Sequence, residues 1–128
     1  MEISEELKIF LLESYEMLDN IEAGLLALEN QPEDDEQVNQ VFRAMHTIKG
    51  NSGFLGLGQV EELCHITETL LDKIRNDELK LNSDIVTAML RAKDVLHSTM
   101  QTLESTGEEG QVESKEIITD LSRFLPEA

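Results

Sequence analysis

Apolar residues recur every three or four positions through nearly the whole chain, and this spacing limits the fold more than any other feature. It is typical of helices that bury one apolar stripe. Polar or glycine-rich breaks interrupt the spacing at residues 30–32, 53–58, 76–77 and 107–110. The segments between them show no alternating strand pattern, internal repeat or low-complexity block. Four long helices joined by short connections should run up and down, so we predict an all-α, antiparallel up-and-down four-helix bundle.

Capping residues and helix stops give approximate bounds for these helices. We predict the first helix over residues 4–30, the second beginning within the acidic residues 33–36, the third ending near residues 76–77, and the fourth running from residues 82–84 to Gly107. A shorter apolar pattern over residues 114–124, ended by Pro126, predicts a short C-terminal fifth helix. We therefore expect residues 1–105 to form the bundle, and residues 106–128 to form a loop and a helix that packs on it.

The charge of the chain argues against several classes of partner. It contains 27 Asp and Glu against 10 Lys and Arg, a net charge of −17, so nucleic acids and anionic membranes would repel it. No apolar run approaches the ~20 residues that cross a bilayer, and residues 1–6 lack the basic start of a signal peptide. The single cysteine, Cys64, lies on an apolar stripe and has no internal disulfide partner. We expect a cytoplasmic protein whose partners are other proteins, with no nucleic-acid or membrane partner.

A short motif near the end of the second predicted helix points to chemistry. His46 and Lys49 are three positions apart, which places them on one face of a helix. A cation beside an imidazole opposes metal binding, but it suits a histidine that carries a phosphoryl group, because the ammonium offsets the added negative charge. Gly50 and Gly53 each cost about 1 kcal/mol relative to Ala in a helix interior. We interpret them as clearing space for a bulky partner to reach the imidazole.

A second set of polar residues lies on the third predicted helix. Glu61, His65 and Glu68 are spaced by four and three positions and share one face, beside the apolar stripe. Because a short connection makes the second and third helices neighbours, either Glu68 or Glu61 could accept a hydrogen bond from one ring nitrogen of His46. The other nitrogen would then present a free lone pair to solvent. Such a bond fixes the tautomer and makes the exposed nitrogen a better nucleophile.

The two motifs together resemble those of a known family. His46-x-x-Lys49-Gly50, followed by a glycine-rich stretch, is similar to the phosphoacceptor motif of histidine phosphotransfer domains. His65-x-x-Glu68 resembles a second signature found in the N-terminal phosphotransfer domain of CheA-type chemotaxis histidine kinases. The two motifs at this separation are far more specific than either alone.

The resemblance, which covers roughly residues 4–105, implies a role in two-component signalling. It implies that His46 is phosphorylated, that Glu68 bonds its ring, and that Lys49 and His65 complete the site. The donor would be the ATP-binding domain of a histidine kinase, and the acceptor an aspartate on the receiver domain of a response regulator. Because the chain contains none of the family's ATP-binding elements, we expect a phosphoacceptor domain without its own cofactor or metal. It would be the N-terminal part of a CheA-like kinase or a stand-alone phosphotransfer protein.

Two other classes of function compete with this interpretation. Glu62-x-x-His65 resembles half of a carboxylate-bridged metal site in a bundle, with Asp94-x-x-His97 as a second half. Such a site needs further inward-facing carboxylates, yet the stripe of the first helix is apolar apart from Ser14. Alternatively, an acidic helical module could act only as a scaffold for other proteins. A scaffold would explain the charge but not the glycines that follow His46.

Overall fold

The computed structural model describes residues 3–110 and 114–126, and these contain five helices and no strand. The helices are α1 (Glu5–Asn30), α2 (Asp35–Phe54), α3 (Gly58–Arg75), α4 (Ser83–Thr106) and α5 (Ser114–Ser122). The predicted fold class is confirmed, and α2 continues through Gly53 before it ends. Residues 1–2, 111–113 and 127–128, which belong to the predicted segments 1–105 and 106–128, lie outside the described residues.

Local side-chain caps explain where three of the helices begin. In each case a side-chain oxygen accepts a hydrogen bond from the amide three residues further on; these caps are Ser4 for α1, Asp34 for α2 and Asn82 for α4. Such a cap satisfies one of the amides that the first turn leaves without a helical partner. Helix α4 ends at Gly107, whose left-handed φ of 79° is a conformation that glycine adopts easily.

Helix α3 begins without a local side-chain cap, because Leu57 occupies the capping position. Instead, Glu109 from the connection after α4 accepts a hydrogen bond from the amide of Val60 at 2.8 Å. The neighbouring side chain of Gln59 donates to the carbonyl oxygen of Gly110 at 3.0 Å. The connection between α4 and α5 is therefore tied to the first turn of α3.

The core lies between the four long helices and consists mainly of Leu, Ile, Val and Met. Helix α1 packs on α2 and α4, α3 packs on the same two helices, and α5 lies against both α3 and α4. Ile117 and Leu121 bring α5 into the shared core. Cys64 is buried as well, and burial raises the pKa of its thiol. None of the described helices has the length and apolar character needed to cross a membrane.

Helices α2 and α3 make the most extensive helix pair and run antiparallel. Near the middle of α2, His46 meets Glu68 of α3. Closer to the end of α2, Gly53 lies against Glu61, which is nearer the beginning of α3. This register brings the two motifs found in the sequence onto one face of the bundle.

Candidate functional site

His46 is held at one ring nitrogen and free at the other. Its Nδ1 lies 2.9 Å from Oε1 of Glu68, and its side chain is 63% exposed, whereas that of Glu68 is only 11% exposed. Within residues 3–110 and 114–126, Nε2 has no hydrogen-bond partner. The sequence left Glu68 and Glu61 as alternative partners of the ring, and the register of α2 and α3 selects Glu68.

Lys49 completes a short chain of polar contacts through Glu68. Its Nζ lies 2.7 Å from Oε2 of Glu68, on the side of the carboxylate away from His46. The contact is an ion pair with a carboxylate whose side chain is only 11% exposed. Lys49 therefore acts on the imidazole through the carboxylate between them, rather than only as a free charge on the same helix face.

Opposing effects set the charge state of Glu68. Burial raises the pKa of its carboxyl, but the Lys49 ammonium and the His46 ring together outweigh burial, so the pKa lies below the usual value for Glu. Glu68 is therefore a carboxylate at neutral pH. A carboxylate can only accept, so a neutral imidazole keeps its proton on Nδ1 and leaves the lone pair on Nε2. The arrangement can present a nucleophilic nitrogen to solvent.

His65 lies near this chain of contacts but does not join it. Its side chain is exposed and makes no hydrogen bond or ion pair with any described residue. Together with Lys49 and Gly58, it lines a shallow recess at the beginning of α3. The structure thus places His65 beside Lys49 rather than against the ring of His46.

The two glycines that follow His46 face different surroundings. A Cβ built at Gly50 would meet no atom within 4 Å, so this side of α2 is open beside the imidazole. A Cβ at Gly53 would collide with the carboxylate of Glu61. Because that carboxylate ends a flexible side chain, it could move aside. Gly50 thus fits the interpretation of free access, whereas Gly53 also gives room to Glu61.

One aromatic side chain at the site was not identified from the sequence. Phe42, whose spacing fits the apolar stripe of α2, is only half-buried. Its ring lies parallel to that of His46, with centroids 6.1 Å apart and planes at 6°. Arg75 at the end of α3 places its guanidinium carbon 4.0 Å from the centroid of Phe42. The available signal was the spacing of four positions from Phe42 to His46, which puts both on one helix face.

The residues considered for a metal site are not arranged as one. Glu62, His65, Asp94 and His97 are all exposed. In the part of the chain that the structure describes, no group of three or more His, Cys, Asp or Glu side chains is placed to hold a metal ion. The geometry therefore gives the metal-binding alternative no support.

Comparison with known proteins identifies relatives along the whole chain. A model of the Hpt domain family matches residues 5–123. The chemotaxis protein CheA of Rhizobium meliloti is 37% identical over 132 residues, which cover 100% of this chain and 17% of that protein. CheA of Salmonella typhimurium is 37% identical over 125 residues, covering 98% of this chain and 18% of that protein. The chain thus spans less than a fifth of the length of these relatives.

Solved structures show the same architecture. The solution structure of a histidine phosphotransfer domain of CheA superimposes with a TM-score of 0.88 and 33% identity, covering 99% of this chain and 96% of that one. The phosphorylated P1 domain of CheA3 from R. sphaeroides, in complex with CheY6, superimposes with a TM-score of 0.83 and 30% identity. That comparison covers 94% of this chain and 98% of the P1 domain.

Proposed function

Because the chain belongs to the Hpt domain family, we propose that it relays a phosphoryl group through His46. The observation that carries the proposal is the 2.9 Å contact between Nδ1 of His46 and Oε1 of Glu68, on a ring that is otherwise largely exposed. An imidazole held in this way offers Nε2 as its nucleophile. A scaffold would have no need for a buried carboxylate that fixes the tautomer of an exposed ring.

Phosphorylation begins when a histidine kinase ATP-binding domain presents ATP to His46. The lone pair on Nε2 attacks the γ-phosphorus, a P–N bond forms, and the bond from phosphorus to the bridging oxygen of ADP breaks. Attack leaves a positive charge on the ring, which the Glu68 carboxylate stabilises through Nδ1–H. The kinase supplies ATP and Mg²⁺, while this domain supplies an oriented nucleophile, so positioning accounts for its share of the rate acceleration.

Delivery follows when the phosphohistidine meets a receiver domain of a response regulator. A carboxylate oxygen of the receiver aspartate attacks the phosphorus, the P–N bond breaks, and the electron pair returns to Nε2. The relationship to CheA proteins, and the related P1 domain captured with CheY6, support this choice of partner. The same relationship supports part of a larger CheA-like chemotaxis kinase over a stand-alone phosphotransfer protein, and we propose that the chain is the N-terminal part of such a kinase in the cytoplasm.

The remaining site residues have supporting roles in this proposal. Lys49 holds the second oxygen of Glu68 and adds positive charge near the phosphoryl group. His65 stands beside Lys49, where it can interact with an incoming partner. Gly50 leaves the approach to the imidazole open, and Gly53 lies further along the same docking surface. We assign these roles to the bundle of residues 1–105, with residues 106–128 as a segment packed on it.

A labelling and chase experiment tests the proposal. The chain is incubated with the ATP-binding domain of a CheA-type kinase and γ-labelled ATP, and then with a receiver domain. We expect label on the chain that is stable to base and lost in acid, as a P–N bond requires, followed by its appearance on the receiver. An acid-stable label, or no label with an active kinase domain, would contradict the proposal.

A further inference from the structure

The hydrogen bond to Glu68 does not by itself fix the plane of the His46 ring. It restrains one ring atom, Nδ1, so small coupled rotations about the two side-chain torsions of His46 can still tilt the ring while this contact is kept. Tilting moves Nε2, the nitrogen on the opposite side of the ring, away from the attacking direction. A second contact with the face of the ring would remove this freedom, and Phe42 provides one.

Phe42 contacts His46 as an aromatic pair in an offset parallel arrangement. Their planes differ by 6° and their centroids are 6.1 Å apart, which is within the range for offset stacking. Because the two residues are one helical turn apart on α2, the contact depends little on movements between helices. Tilting of the imidazole would bring its edge towards the Phe42 ring and disturb this arrangement.

The Phe42 ring is itself held from α3. The guanidinium carbon of Arg75 lies 4.0 Å from the ring centroid, a distance suited to a cation–π contact. The guanidinium also donates to Oδ1 of Asp72 at 2.6 Å, one turn earlier on the same helix. Asp72 therefore restrains Arg75, and Arg75 restrains the ring that faces His46. These contacts form a line of interactions separate from the one through Glu68 and Lys49.

We propose that Phe42, held by Arg75, is a positioning residue that fixes the plane of the His46 imidazole and so the direction of Nε2. This inference rests on the proposed function of His46 as the phosphoacceptor. Glu68 sets which nitrogen carries the proton, and Phe42 sets where the other nitrogen points. The two contacts act on different properties of one ring, so experiments can separate them.

The test replaces Phe42 by Leu, which keeps an apolar side chain but removes the ring plane. Phosphoramidate serves as donor because a small molecule needs no docking surface. We expect phosphorylation about three- to ten-fold slower than in the wild-type protein, as the energy of one aromatic pair implies. NMR relaxation of the His46 ring should show greater motion, whereas its tautomer ratio should not change.

Two matched variants make the test specific. Phe54→Leu is the same substitution at the end of the same helix, where the residue is 87% exposed, and it should leave both the rate and the ring motion unchanged. Phe42→Tyr keeps the ring and should retain the wild-type rate. Arg75→Gln should slow phosphorylation less than Phe42→Leu, because it removes only the support of the ring.

Three results would overturn the inference: a wild-type rate in Phe42→Leu, an equal loss in Phe54→Leu, or a loss in Phe42→Leu accompanied by unfolding. Thermal unfolding of each variant identifies the last case. If wild-type protein takes no phosphoryl group from phosphoramidate or from the kinase domain with ATP, the proposed function fails. The ring-motion measurement then still decides whether Phe42 fixes the imidazole.

Discussion

Two faces of the bundle each present an exposed histidine beside an aromatic ring. On the α2–α3 face, His46 lies parallel to Phe42, with centroids 6.1 Å apart. On the α1–α4 face, His97 meets Tyr15 edge-on, with centroids 5.3 Å apart and planes at 63°. Exposure and an aromatic neighbour are therefore common to both histidines. Neither property is enough to identify a reactive imidazole.

The difference between the two faces lies in the charged groups around each ring. His46 contacts a nearly buried carboxylate that is also paired with an ammonium. His97 makes no side-chain hydrogen bond or ion pair within the described residues. The carboxylate near this ring pair, Glu104, acts on Tyr15 instead: burial raises the pKa of the Tyr15 phenol, and Glu104 raises it further. A carboxylate that fixes the tautomer distinguishes the α2–α3 face.

The largest expected effect comes from exchanging each histidine for Gln. His46→Gln should abolish phosphoryl uptake from kinase and ATP while the bundle stays folded, because its side chain is mostly exposed. His97→Gln should be labelled as fast as the wild-type protein. Labelling and circular dichroism of both variants provide the measurement. If His97→Gln also loses its label while folded, the contrast between the two faces is wrong.

The next prediction concerns the loss of the Glu68 carboxylate, which distinguishes the α2–α3 face from the α1–α4 face. Glu68→Gln should lower the rate of phosphorylation by about ten- to a hundred-fold, because Glu68 orients the ring without transferring the proton and so contributes no more than the lower end of the ~100- to 10,000-fold of a general acid or base. It should also change the tautomer ratio of His46, because a neutral amide can donate as well as accept. Nitrogen NMR reports both rings in one sample. The His97 signals serve as an internal control and should stay as they are.

A third prediction tests whether access also sets the α2–α3 face apart. Gly50→Gln should raise the free energy of unfolding by up to about 1 kcal/mol, because Gln is a good helix former and the position is open. Transfer to and from partner proteins should fall about ten-fold, which corresponds to ~1.4 kcal/mol of lost docking energy. Transfer from phosphoramidate should change less.

The control for this change is a glycine in a crowded position. A Cβ at Gly24 would lie 2.6 Å from Cγ2 of Val41, so Gly24→Gln should destabilise the bundle, as overpacking does. Chemical denaturation of both variants measures the two stabilities. Unfolding of Gly50→Gln would mean that this glycine is needed for packing rather than for access.

The smallest expected effect is on the pH dependence of stability. The pKa of Glu68 is lowered in the folded state. Its contribution to the free energy of unfolding is therefore fully present at pH values above the usual pKa of Glu, and it is lost as the pH falls through the lowered pKa. Wild type should exceed Glu68→Gln in free energy of unfolding by about 1 kcal/mol near neutral pH, the difference between a hydrogen bond to a charged group and one between neutral groups. This difference in stability should disappear in acid. Glu62→Gln, an exposed change on the same helix, should show no comparable gap in denaturation curves.

The sequence was sufficient to predict features that depend on neighbouring residues. Asn82 caps its own helix and Gly107 ends it, so both bounds could be identified from a few adjacent positions. His46 and Lys49 were likewise paired by their spacing on one helix. The register between α2 and α3 could not be predicted in this way, which is why Glu61 and Glu68 remained alternatives.

Other features depended on packing that a periodic pattern does not describe. Phe42 fits the apolar stripe of α2 by spacing, yet it lies at the edge of the stripe, where one ring face turns towards His46. Arg75 follows Phe42 by more than thirty positions, so nothing local connects the two. His65 shares a helix face with Glu68, but its side chain extends to the recess at Lys49 instead.

The cap on α3 makes one amide a reporter of a distant part of the chain. The Val60 amide is satisfied by Glu109, 49 positions further on, so its protection against hydrogen exchange depends on that connection remaining attached. Local detachment would expose this amide while the rest of the bundle stays folded. Slow exchange at Val60 therefore measures how firmly the segment after α4 is attached to α3, beside the α2–α3 face.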